Sequence, residues 1–357
     1  MSSAPLVATP APDRVAGDRP GAVGQAQSAV AGDARSWREQ LAPYAQPDSR
    51  RALWCVATSV IPYLGLSAAI YLLLGQSLLA LLLGIPAAIF LVRSFIVFHD
   101  CTHGSFLASR RANLWLGRSI GLLLYAPFVR WRHDHAVHHA TAGNLDRRGT
   151  GDLHTLTVAE YDALSPKGRF NYRLQRNPFV MLGLGPVVAM MIGPRIVAKE
   201  ARPRMRRSVL LTDLALLVAV ALLVWQIGWR DYLLVLVLPA LLAGSIGIWL
   251  FYVQHQFEDA YWDSDDDWSF TEAALRGSSF LKLPAPLRFA TGNIGYHHVH
   301  HLNASIPNYN LKRAHDQTPS LHAVPTLTLL DGIRATRLKL YCERRGRLVG
   351  FREARGA

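Results

Sequence analysis

The run Ser77-Leu-Leu-Ala-Leu-Leu-Leu-Gly-Ile-Pro-Ala-Ala-Ile-Phe-Leu-Val-Arg-Ser-Phe-Ile-Val-Phe98 carries a single charge, Arg93, and passes at once into His99-Asp-Cys-Thr-His103. About twenty apolar residues in a row are what a helix needs to cross a bilayer. His99 and His103 are four apart, so they share one face of a helix that continues the run. The stretch therefore reads as a membrane helix with two imidazoles at its end. Two further clusters have nearly the same spacing, His133-Asp-His135-Ala-Val-His138-His139 and His297-His298-Val-His300-His301. Residues 135, 138 and 139 stand i, i+3, i+4, and so do 297, 300 and 301. Neutral imidazole suits zinc, iron, copper and nickel. One tetrahedral ion takes at most four ligands, so this many histidines on one side of a membrane implies two metal ions.

Three more stretches resemble the first. Together the four expected spans are roughly Leu53–Leu74, Ser77–Phe98, Ser208–Trp229 and Tyr232–Val253, in a chain of 357 residues that is 50% hydrophobic and 18% charged. Their short links make two antiparallel hairpins. The net charge is +13, and it follows topology: residues 104–207 hold 17 Lys/Arg against 6 Asp/Glu, whereas Gly75–Gln76 holds none. An excess of Lys and Arg marks the cytoplasmic side. The Arg202–Arg207 run reads as a topology anchor and anionic-lipid contact, and nothing else suggests nucleic acid. Both termini and all the clusters are thus expected in the cytoplasm, with His255 joining them just past the fourth span.

Residues 1–34 are rich in Ala, Pro, Gly and Ser and read as a disordered tail without a signal peptide. Residues 35–323 form the membrane domain, with a short surface helix within Ser36–Arg51, and 324–357 a C-terminal cytosolic tail. Two apolar stretches, Ala112–Val129 and Pro178–Pro194, must be interfacial or re-entrant; if either crossed, the bilayer would separate the clusters. Asp213, near the start of the third span, is expected at the interface beside Arg206 and Arg207. Asp263–Asp267 lacks the Gly and Glu of a calcium loop and reads as a solvated acidic loop. Cys55, Cys101 and Cys342 are far apart and imply neither a disulfide framework nor a zinc ribbon. Cys101, inside the first cluster, is read as packing.

A site built almost wholly of histidine, pinned to a membrane, fits oxidation better than hydrolysis. An unactivated methylene has no acidic proton for a side chain to remove, so a metal–oxygen oxidant must break the bond. Iron with open coordination positions is the usual choice. H-D-C-T-H, H-A-V-H-H and H-H-V-H-H resemble the three boxes of the membrane fatty acid desaturase family. Phe98–Phe106, Asn144–Asp152, Gln254–Glu258 and Gly292–His301 are similar to its bacterial acyl-lipid branch of Δ12 and Δ5 type. The resemblance covers about residues 51–317.

It implies an all-α integral membrane protein: four transmembrane helices in two hairpins, with a cytosolic helical cap holding a histidine-rich diiron site. The activity it implies is insertion of a cis double bond into a fatty acyl chain with O2 and external electrons. By position, the implied ligands are His99, His103, His135, His138, His139, His255, His297, His300 and His301. His133 and His298 fall outside the pattern and are expected to support the ligands from behind or to be structural, with Asp100 and Asp134 as groups that could orient imidazole N–H. Phe251 stands where some relatives have an Asn one turn before the post-span histidine. No fused haem motif, cysteine quartet or dinucleotide fingerprint is present, so a separate donor is implied, of ferredoxin or cytochrome b5 type. Lipid hydroxylation or carotenoid ketolation uses the same boxes. A non-enzymatic metal binder or transporter would instead line its spans with ionisable groups, which these spans almost lack.

Overall fold

The computed structural model describes residues 34–198 and 201–356. The expected N-terminal tail lies outside these residues, except that Ala34 already begins a helix, Ala34–Leu41. Four helices among the described residues are long and apolar enough to cross a membrane: Ser49–Leu74, Leu78–His103, Pro203–Ile227 and Trp229–His255. They are called the first to fourth spans. Asp48 caps the first by accepting from the amides of Arg50 and Arg51, two of the orphan donors at any helix start. Ser77 does the same for Leu79 at the start of the second.

The second span is the centre of the bundle. Buried residues make up 56% of its apolar window against 11% for the third span, which is left to face lipid. It packs against the first and fourth spans through Ala87, Ala88, Leu91 and Val97. Its charge, Arg93, is satisfied in place: the guanidinium donates to the Phe289 carbonyl and to Thr58 Oγ1 and lies 3.8 Å from the Phe289 ring centroid. At 26 residues this span is ~39 Å long, about 9 Å more than the hydrocarbon layer. The surplus carries His99–His103 clear of the lipid. Gly104, at φ 72°, ends the helix by returning its amide to Asp100 and Cys101, a left-handed cap that favours glycine. Cys101 is buried in the apolar core.

Neither proline- and glycine-rich apolar stretch forms a crossing helix. The first divides into Arg110–Leu123 and Phe128–Thr141 around a turn at Tyr125. The second becomes Pro178–Gly183, a wide π-helical turn Val187–Ile192 and a 3-10 turn Gly193–Arg195. The cap also holds short strands that the sequence reading does not anticipate. Leu340–Cys342 pairs in parallel with Leu156–Thr157 and antiparallel with Arg347–Val349, and Phe280–Leu281 lies parallel to Thr326–Leu327. Residues 340–349 thereby pack on Tyr161, Tyr172, Phe257 and Trp262.

Two local expectations change. Asp213 pairs with Arg195, at 3.1 Å, and not with Arg206 or Arg207. Its helix face turns toward the Gly193–Arg195 turn. The acidic loop is pinned as well as solvated: Asp265 accepts from Asn144 and Arg147 at 3.0 and 2.7 Å.

Candidate metal centre

Four elements carry histidines to one place: the end of the second span, the helix Phe128–Thr141, the end of the fourth span and the short helix His297–Leu302. Nine rings converge there in two groups. The first is His99, His103, His135, His139 and His300; the second is His138, His255, His297 and His301. Within each group the candidate ligand nitrogens lie within 4.8 Å of one another. The groups cut across the sequence boxes. On Phe128–Thr141 the i, i+4 pair His135 and His139 enters the first group, and His138 turns into the second. On His297–Leu302 the pattern reverses: His297 and His301 enter the second and His300 the first. Each of these helices thus reaches both groups, which touch where His139 stacks on His301 at 4.2 Å.

The donor chemistry fits two cations. Nε2 atoms face one another at 2.9 Å between His99 and His135, 2.9 Å between His139 and His300, 3.2 Å between His138 and His255, and 2.9 Å between His255 and His297. The His138–His255 pair decides what this means. His138 Nδ1 lies against the Asp152 carboxylate, and His255 Nδ1 against the Gly277 carbonyl at 3.1 Å. Both acceptors require the proton on Nδ1. With one N–H on each imidazole, both Nε2 atoms present bare lone pairs to each other. That is repulsive unless a cation lies between. Neighbouring ligands bound at ~2.1 Å stand about 3 Å apart, which is the spacing seen. His103 Nε2 tells the same story in the first group: it is buried without a hydrogen-bond partner.

The rings are held in the ligating state. Burial, reinforced by the neighbouring imidazoles, keeps His135, His139, His297, His300 and His301 well below the usual 6.5. They are therefore neutral at pH 7, with a lone pair available. Three acceptors fix ring orientation: Asp152, the Gly277 carbonyl, and Asp100, whose Oδ1 meets His99 Nδ1 at 3.1 Å. Asp100 is itself held by Asn308, whose backbone and side-chain amides donate to Oδ2 at 2.6 and 2.8 Å. Trp131 stacks on His135 with ring centroids 4.3 Å apart.

The other residues singled out from sequence lie elsewhere. His133 is exposed. Asp134 takes Arg130, its i−4 neighbour, at 2.6 Å and orients no ring. His298 turns away from both groups, its Nε2 meeting His315 Nδ1 at 3.0 Å. Helical spacing gives no signal for Asp152, Gly277 or Asn308. Asp152 alone leaves a sequence trace, as the last residue of the Asn144–Asp152 stretch.

A cavity of about 810 Å³ opens beside the rings. His99, His135 and His297 line one end, and Phe95, Trp131 and Phe251 wall it. From there it follows the fourth span from Gln254 to Ala243, eleven residues, or roughly 17 Å.

The fatty acid desaturase family model matches residues 76–323, a stretch that includes every histidine of both groups. The chain is 45% identical over 327 residues to a fatty acid desaturase of Bacillus subtilis, covering 91% of this chain and 93% of the relative. It is 30% identical over 237 residues to an sn-1 acyl-lipid omega-3 desaturase (ferredoxin) of Synechocystis, covering 62% of each. It is 28% identical over 226 residues to an sn-1 oleoyl-lipid 12-desaturase of the same organism, covering 63% of this chain and 64% of the relative.

Proposed function

The chain belongs to the fatty acid desaturase family, and we propose that its nine converging histidines hold two iron ions beside a cavity that takes a lipid acyl chain. It is a multi-pass membrane oxidoreductase acting on acyl chains with O2. The observation that carries the metal assignment is the 3.2 Å approach of the His138 and His255 Nε2 atoms while both Nδ1 atoms face acceptors.

Iron, when bound, supplies the activation of O2 and the oxidation of C–H bonds that no side chain can perform. The chain's own residues do the rest. The neutral imidazoles keep their lone pairs on the centre, and Asp100, Asp152 and the Gly277 carbonyl hold three of those rings in the ligating tautomer. Phe95, Trp131 and Phe251 exclude water and hold an acyl chain in van der Waals contact past His99, His135 and His297. The cavity's apolar walls give grip without polarity, as a methylene chain requires.

Removing two hydrogens gives O2 only part of the electrons it needs, so a separate donor supplies the others. Ferredoxin stands in the names of two relatives, and a small soluble carrier of that kind is the donor proposed here. The cap is assigned to the cytoplasm, where such carriers occur. The charge excess of residues 104–207 supports that orientation.

The test is to express the chain in a desaturase-deficient host fed deuterated fatty acid. The expected product is a cis-alkene lacking one hydrogen from each of two adjacent carbons. A product that keeps one of that pair and gains oxygen from labelled O2 would make the chain a hydroxylase.

A further inference from the structure

An ionisable side chain inside a membrane span is costly and usually has both a partner and a purpose. Asp213 is six residues past Arg207, the last of the basic anchor, roughly 9 Å into the third span. Its partner comes from a separate element: Arg195 Nε, 3.1 Å away. The same guanidinium donates through Nη1 to the Tyr125 and Met190 carbonyls, each at 2.6 Å. One arginine therefore ties together the third span, the turn before Phe128–Thr141 and the Val187–Ile192 turn.

All of this surrounds the acyl cavity. Leu124, Ala126 and Pro127 line it next to Tyr125, and Met190, Gly193 and Pro194 line it next to Arg195. The Val187–Ile192 turn contains no buried residue. Leu184 and Val188 both line the cavity and are exposed. This segment is thus a thin wall that meets the fourth span mainly at Gly244, where Pro186 and Met190 approach it closely. On the other side Tyr125 sits at φ 55°, a left-handed conformation costly for a bulky residue. Its hydroxyl is bonded to that of Tyr232 at 3.0 Å. Both walls depend on polar anchors, and Arg195 is common to them.

We propose that the Arg195–Asp213 pair is a positioning latch that fixes the two walls of the acyl cavity and so sets which carbons of the chain stand at the histidine centre. The inference rests on the acyl-oxidation reading for its consequence but not for its geometry. If the walls loosen, the chain can slide, although the ring cluster at the far end is untouched. The latch thus acts on substrate register and apparent affinity, not on metal binding.

The experiment uses the full-length, iron-loaded protein in lipid nanodiscs, with Asp213→Asn, Asp213→Glu and Arg195→Lys. Hydrogen exchange of residues 187–194 should rise in Asp213→Asn and Arg195→Lys and return toward wild type in Asp213→Glu. Iron content should not change. KM should rise about tenfold with kcat within a few-fold, the pattern of lost substrate binding. A second positional isomer of the alkene should appear. Unchanged exchange in both Asp213→Asn and Arg195→Lys would overturn the latch, as would a wild-type isomer ratio and KM in both. If one variant fails to fold, the other decides. A wild type that makes no alkene would instead refute the acyl-oxidation reading, and the exchange measurement would still judge the latch.

Discussion

Asp152 and Asp100 do the same work on different rings, and at the scale of single residues they are the sharpest probes of the centre. Each holds an Nδ1 proton and so turns an Nε2 lone pair inward. Loss of such a carboxylate typically costs 10- to 100-fold in metal affinity. Asp152→Ala and Asp100→Ala should each weaken iron binding by about that factor in a chelator competition, whereas His133→Ala, on an exposed position, should leave it unchanged. Wild-type affinity in both aspartate variants would remove them from the centre. The histidines are legible in the sequence because helical spacing groups them by face. Their division between two groups is not. It depends on how Phe128–Thr141 and His297–Leu302 are rotated against each other, and only packing sets that. Asp152 is hidden for a related reason: it stands fourteen positions after the ring it orients, beyond the end of the helix Phe128–Thr141.

The helices deliver the rings only if they pack closely. A Cβ at Gly117 would stand 2.1 Å from the Phe128 ring and 3.1 Å from Cys101 Cβ. Phe128 begins the helix that carries His135, His138 and His139. Gly117→Val should therefore displace that helix at a cost of about 1–3 kcal/mol and lower iron occupancy. Gly65→Ala, with open space around it, should do neither. Equal iron content and melting temperature in the two variants would contradict this packing. The spans were readable from the sequence to within a few residues, because a bilayer demands length and apolarity and little else. The strands were not: two or three residues of pairing give no periodicity, and partners such as Leu156 and Leu340 are far apart in the chain. The partner of Asp213 is not legible either: proximity in sequence favours Arg206 and Arg207, whereas the fold brings in Arg195.

Across the whole molecule, two hairpins put the entire cap on one side of the membrane. All three native cysteines are buried, so introduced ones can be read cleanly. Cysteines at Ser109, Lys167 and Asp266, all exposed, should label from the cytoplasm, and one at Gln76 or Arg230 from outside. Labelling of Ser109 and Asp266 from opposite sides would refute the two-hairpin topology. The histidine core also sets a pH dependence. Rings held below 6.5 in the folded chain regain an ordinary affinity for protons on unfolding. Below pH 6.5 the unfolded state therefore binds more protons, and stability falls as pH falls. Each such ring contributes a slope of about 1.4 kcal/mol per pH unit until its depressed folded value is reached. The metal-free protein should melt progressively lower from pH 7 to pH 5, and a flat profile would contradict neutral, buried rings.

The central claim is that nine histidines form two adjacent iron sites, divided across the sequence boxes. Its most direct test is the iron content of purified protein by mass spectrometry, for the wild type, His103→Ala and His301→Ala. Two irons per chain are expected in the wild type. A selective loss is expected in each variant, from the first group with His103→Ala and from the second with His301→Ala. Active wild-type protein holding a single iron, or full iron content in both variants, would contradict it.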